Sequence, residues 1–112
     1  VVYATRYSIK GLKAAWRSEP AFRQEAIVLL ISLPMSMLIG QSIYQIALLI
    51  GSVIFVIIIE LLNSAVEAVV DRIGPEHHQL SGQAKDLGSA AVFLAIFLAL
   101  VIWGLSFYQR FF

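Results

Sequence analysis

Val53-Ile54-Phe55-Val56-Ile57-Ile58-Ile59-Glu60-Leu61-Leu62-Asn63-Ser64-Ala65-Val66-Glu67-Ala68-Val69-Val70-Asp71 is the stretch on which the reading of this chain turns. Glu60 follows directly on seven apolar residues, so its carboxylate enters hydrocarbon or the boundary of it. An acidic side chain at the centre of a membrane span costs about 2.5–3.5 kcal/mol, and such residues usually face protein or a cavity and serve function. Glu60, Asn63, Glu67 and Asp71 stand at offsets of 0, 3, 7 and 11. At 3.6 residues per turn these offsets put all four on one narrow wedge of a helix. Oxygen ligands aligned in this way suit a hard divalent cation, because magnesium takes carboxylates together with substrate phosphates. Glu67 and Asp71 equally suit the solvated end of a long helix; Glu60 does not.

Outward from this row, the pattern of charge divides the chain. No charged residue occurs between Glu25 and Glu60, or between Asp86 and Arg110. A transmembrane helix needs about 20 mostly apolar residues. The segment 87–109 supplies one span. The first gap breaks at Gly40-Gln41-Ser42, where turn-forming residues cluster, and reads as a hairpin of two spans over about 21–40 and 43–70. Pro34 interrupts the first of them, and a transmembrane helix tolerates a proline as a kink. Apolar residues make up 60 % of the 112 and charged residues only 13 %, a balance that a soluble domain of this length could not bury. The chain thus reads as one all-α integral membrane domain over residues 1–112.

Residues 3–18 form a different element. Arg6, Lys10, Lys13 and Arg17 make a basic stripe at helical spacing, and Ile9, Leu12 and Trp16 line an adjoining face. This suits an amphipathic helix lying in the membrane surface, its long basic side chains reaching the headgroups; the plainer alternative is a solvated helix ahead of the first span. Ser18-Glu19-Pro20 ends it, since proline fits the first turn of a new helix. Five of the eight basic residues precede residue 24, so the positive-inside rule sets the N-terminus in the cytoplasm and the C-terminus outside, in the periplasm. Trp103, Tyr108, Phe111 and Phe112 suit the outer interface. The first residues lack the features of a cleavable signal, and Val1 leads us to expect further residues upstream.

Several chemistries find no support. The net charge of +1 makes no case for nucleic acid. Without cysteine there is neither a disulfide framework nor a thiolate metal site. His77 and His78, in the loop 74–81, could bind metal, but paired histidines more often sit in a solvated turn, and no H-E-x-x-H accompanies them. There is no Walker loop and no protein-kinase loop. Gly88, Ser89, Ala90, Ala91, Ala95 and Ala99 are small enough for helices to approach closely, and Ser89 lies one turn beyond Lys85. From the residues alone, a transporter or proton-relay subunit ranks first, because intramembrane carboxylates mark ion pathways. A structural subunit without chemistry is the remaining alternative.

Glu60-Leu61-Leu62-Asn63-Ser64-Ala65-Val66-Glu67, continued to Arg72, and Ala84-Lys85-Asp86-Leu87-Gly88-Ser89-Ala90-Ala91-Val92 resemble the signature of the prokaryotic diacylglycerol kinases. Tyr7-Ser8, Lys10-Gly11-Leu12, Ala14-Ala15-Trp16 and Glu19-Pro20-Ala21-Phe22-Arg23-Gln24-Glu25 are similar to the Gram-negative branch; the undecaprenol kinases of the Gram-positive branch lack that pattern. The resemblance implies a homotrimer in the bacterial inner membrane, each protomer with three spans and a surface helix. It implies transfer of the γ-phosphate of ATP to diacylglycerol, giving phosphatidic acid. By the same resemblance Glu60 is the general base, and Glu19 and Glu67 hold magnesium with ATP. Asn63, Tyr7, Lys85, Asp86 and Glu76, His77 and His78 then meet the nucleotide. Ser8, Lys13, Ala14, Ala15, Trp16, Ala21, Phe22, Arg23, Gln24, Glu25, Ser89 and Trp103, with Glu60, lie near the lipid. Phosphoryl transfer asks mainly for positioning and neutralisation of phosphate charge, which carboxylates holding magnesium and a lysine supply without a Walker loop.

Overall fold

The computed structural model describes residues 1–74 and 79–112. Four helices account for nearly all of them: α1 (Val2–Ser18), α2 (Pro20–Ile39), α3 (Ile43–Ile73) and α4 (Gln79–Phe111). Among the described residues there is no strand. α2, α3 and α4 are each long and apolar enough to cross a membrane. The polar segment 74–81, which the sequence reads as a loop, is helical from Gln79 onward.

Local chemistry sets the joints. Glu19 is extended (φ −116°, ψ 98°) and serves as both C-cap of α1 and N-cap of α2, with Pro20 opening the new helix. Proline suits that position because the first helical N–H has no intrahelical acceptor. The α2–α3 turn is a tight one. A Cβ on Gly40 would stand 2.8 Å from the Ser36 carbonyl and overlap the Ile46 side chain, so residue 40 has to lack one. Ser42 then caps α3: its hydroxyl accepts from the Gln45 N–H at 3.1 Å, while the Gln45 side chain accepts from the Gln41 N–H at 2.7 Å. This is a close relative of the reciprocal capping box.

α3 is the central helix, packed along α4 and against α2, while α1 leans mainly on α2. The α3–α4 pairing keeps an antiparallel register throughout. Gln45 meets Gln109, Ser52 meets Trp103, Asn63 meets Gly88 and Asp71 meets Lys85. Side chains are distributed as a hydrocarbon solvent requires. The buried polar residues include Ser32, Ser36 and Ser52, whereas Leu30, Phe93, Phe97, Leu100 and Leu105 point outward. Small and hydroxylic residues let membrane helices approach closely where lipid removes the drive to bury leucine. Ser32, Ser36 and Ser52 each donate to the carbonyl three residues earlier, at 2.7–2.8 Å, so none of these three hydroxyl hydrogens is left bare in a dry interior.

Length places the acidic row. At 1.5 Å per residue α3 is about 46 Å long against a hydrocarbon core of about 30 Å. Glu60 lies about 25 Å along it from Ile43, so a hydrocarbon core of about 30 Å that began at Ile43 would end just beyond Glu60. Asn63, Glu67 and Asp71 follow on the same unbroken helix.

Candidate active site

Glu60 is buried, with 8 % of its surface exposed, and it turns inward toward protein. Three further carboxylates come within electrostatic range of it: Glu67 from the same helix, Glu19 from the α1–α2 elbow and Glu25 from the second turn of α2. Glu19 reaches this position because the extended elbow turns the chain back over α3. Asn63 lies between Glu60 and Glu67 on the shared wedge. Its amide nitrogen donates to Glu67 Oε1 at 3.3 Å, and its oxygen is buried without a hydrogen-bond partner. Beyond them Lys85 Nζ pairs with Asp71 at 2.9 Å. Lys85 belongs to the polar turns that precede the apolar run of α4, and its hydrogen bond to Asp71 holds the ammonium above its ordinary range.

Two grooves flank Glu60. One, of about 400 Å³, runs between the apolar helices and is lined by Glu25, Ser32, Val53, Val56, Ala99 and Trp103. It therefore joins Glu25 to Trp103, which the sequence could place only on separate spans. The other, of about 560 Å³, lies between α1 and α3 and is lined by Ser8, Ala14, Ala15, Glu19, Leu61 and Ser64. Val56, one turn before Glu60, faces the first groove, and Leu61 and Ser64, just after it, face the second. Glu60 itself lines neither groove, but it is in electrostatic range of Glu25, which lines the first, and of Glu19, which lines the second.

Other side chains sit apart from this centre. Tyr7, Lys13 and Trp16 are exposed on α1 and Asp86 and Ser89 on α4, and none of them lines either groove. Glu76, His77 and His78 lie outside the described residues. Trp103, which the sequence assigns to an interfacial belt, sends its indole N–H inward to the Leu49 carbonyl and the Ser52 hydroxyl, both at 3.1 Å. Arg23 has a role that sequence reasoning missed. Its guanidinium donates to the Trp16 and Arg17 carbonyls at 2.8 and 3.2 Å, closing the open end of α1 from the first turn of α2. An arginine three residues after a proline-opened helix was the available signal. Cations at a helix C-terminus contribute roughly 0.3–1 kcal/mol. Arg23→Gln is accordingly expected to speed amide exchange at residues 16–19 about two- to fivefold, read by hydrogen–deuterium exchange in detergent, with the spans unaffected.

The donor set fits magnesium carried by a nucleotide. Among the described residues no three acidic or histidine side chains converge on one point, so there is no all-protein cage. Magnesium seldom uses one: it takes one or two carboxylates and completes its shell with phosphate oxygens and water. Glu19 and Glu67, each in electrostatic range of Glu60, would supply those carboxylates, whereas the Asn63 oxygen is buried against Gly88 on α4.

The profile of the family described as prokaryotic diacylglycerol kinase matches residues 6–107. A diacylglycerol kinase of Escherichia coli (strain K12) is 49 % identical over 111 residues, covering 99 % of this chain and 91 % of the relative. One from Haemophilus influenzae is 49 % identical over 104 residues, covering 93 % and 88 %. One from Pseudomonas aeruginosa is 45 % identical over 103 residues, covering 92 % and 84 %. Fold and relatives together define a multi-pass membrane enzyme, a kinase built from helices that cross the bilayer. The chain belongs to the prokaryotic diacylglycerol kinase family.

Proposed function

We propose that this kinase transfers the γ-phosphate of ATP to the free hydroxyl of diacylglycerol, giving phosphatidic acid and ADP, at the cytoplasmic face of a bacterial inner membrane. The observation that carries the reading is the buried Glu60, in electrostatic range both of Glu25 on the apolar groove and of Glu19 on the groove at the elbow. A lipid hydroxyl and a soluble nucleotide have to meet between two such surroundings, since neither can enter the other's solvent.

Glu60 is the general base. Its carboxylate takes the proton from the lipid hydroxyl as that oxygen bonds to the γ-phosphorus and the bond from phosphorus to the β,γ-bridging oxygen breaks. A positioned carboxylate of this kind contributes roughly 10²–10⁴ in rate. Glu19 and Glu67 would hold magnesium, which neutralises charge on the phosphates when bound. Asn63 and Lys85 orient the phosphate oxygens, and Lys85 leaves Asp71 for the nucleotide. Tyr7, Asp86 and Glu76, His77 and His78 complete the nucleotide's surroundings. The groove from Glu25 to Trp103 follows α2 for about 15 Å and takes an acyl chain. Ser8, the segment 13–16, the segment 21–25 and Ser89 surround the glycerol end. Glu25 and Arg23 belong to that group by position, although Arg23 also clamps the elbow.

The exposed positions of Asp86 and Ser89, and the outward aromatic face of α4 at Phe93 and Phe97, favour a site completed between protomers of a homotrimer. The basic stripe of α1 favours an N-terminus held at the cytoplasmic headgroups.

The deciding experiment offers diacylglycerol and undecaprenol side by side in mixed micelles with γ-labelled ATP. Label is expected on diacylglycerol. Label on undecaprenol alone would move the chain to the rival specificity, and ion flux in sealed vesicles without lipid labelling would return it to transport.

A further inference from the structure

Most helical glycines of this chain face open space. A Cβ on Gly11, Gly51, Gly82 or Gly104 would meet nothing within 4 Å. Gly88 differs. A Cβ there would overlap the Asn63 oxygen and come within 3.3 Å of its carboxamide carbon. Gly88 has ordinary helical backbone and needs no glycine on conformational grounds. The three atoms nearest to such a Cβ all belong to Asn63.

The orientation of Asn63 has a chemical cause. An ionised carboxylate only accepts hydrogen bonds, so the NH₂ group has to face Glu67. That choice turns the oxygen toward α4, where it is buried without a partner. A Cβ at position 88 would force the Asn63 carboxamide to shift, and the 3.3 Å bond to Glu67 is made by the other end of that same planar group.

We infer that Gly88 is a positioning residue for phosphoryl transfer: by leaving space on α4 it locks the Asn63 carboxamide, and through it orients the Glu67 carboxylate on α3. The inference rests on the reading of Asn63 and Glu67 as nucleotide and magnesium residues. Gly88 itself touches no substrate. The register of α3 against α4 thereby becomes part of the site, because a slip of one residue would bring Leu87 or Ser89 opposite Asn63.

A double-mutant cycle in the full chain tests this. Gly88→Ala, Asn63→Ala and the pair are assayed in diacylglycerol micelles, with ATP–magnesium and lipid varied separately. Gly88→Ala favours the helical backbone, so folding is expected to hold by circular dichroism and thermal melting. Its kcat/KM for ATP–magnesium is expected to fall about tenfold, with KM for lipid changed less than about twofold. In the Asn63→Ala background the same change is expected to cost less than about twofold, since the clash has gone. Should Gly88→Ala fold poorly, recovery of folding in the double variant supports the contact, and equal failure overturns it. Full additivity, or an effect on lipid KM alone, reduces Gly88 to packing while leaving the site reading intact. Wild-type kinetics for Asn63→Ala would remove both.

Discussion

Glu60→Gln is expected to lower the rate of lipid phosphorylation by a factor of about 10²–10⁴ while the protein still folds and still binds ATP. The substitution keeps size and shape while removing charge and basicity and turning one acceptor oxygen into an N–H donor, so it tests proton transfer without opening a cavity. Folding should not suffer. Glu60 is buried with Glu19, Glu25 and Glu67 in electrostatic range, and a neutral amide relieves repulsion among them. The thermal midpoint in detergent is therefore expected to stay level or rise. Steady-state kinetics should show the loss in kcat, with KM for ATP little changed, because the interaction removed is made mainly in the transition state. Near-full turnover in a folded Glu60→Gln protein would dismiss Glu60 as the base. A structural subunit predicts no phosphorylation to lose in the first place.

Removing a carboxylate from the proposed magnesium pair should have an effect of similar size through a different route. Glu67→Gln is expected to reduce turnover roughly a hundredfold at ordinary magnesium, a scale typical of losing one preorganised electrostatic partner, and to raise the magnesium concentration needed for half-maximal rate. High magnesium should restore part of the loss, which it cannot do for Glu60→Gln. Glu19→Gln should behave like Glu67→Gln although it lies on a different element, and the two together should cost less than the product of their separate effects. Initial rates against free magnesium, with both substrates saturating, read all of this. An unchanged magnesium dependence in both variants would remove the pair from the metal site.

Much of the architecture was legible before any coordinates. Long uncharged runs bounded by Glu25, Glu60, Asp86 and Arg110 can only be accommodated as membrane helices, because hydrocarbon excludes charge whatever the tertiary arrangement. The alignment of Glu60, Asn63 and Glu67 follows from helical period in the same local way, and the Asn63–Glu67 hydrogen bond expresses it. The first turn of α4 was not legible: Gln79-Leu80-Ser81 lacks apolar periodicity and follows Gly74-Pro75, so local composition argued for a loop. The inward turn of Trp103 was equally hidden, since an aromatic near a span's end fits an interfacial belt as well as a buried N–H satisfied by Leu49 and Ser52.

The sequence by itself determined that this chain crosses a membrane and carries carboxylates along one helix, for solvent preference and helical period act residue by residue. Only the tertiary structure decided that Glu19 comes within electrostatic range of Glu60, that Arg23 closes the end of α1, and that Gly88 faces Asn63. Those meetings depend on how each helix is rotated about its axis and slid along its neighbour. Rotation and sliding are settled by packing between segments far apart in the chain, which no local pattern encodes.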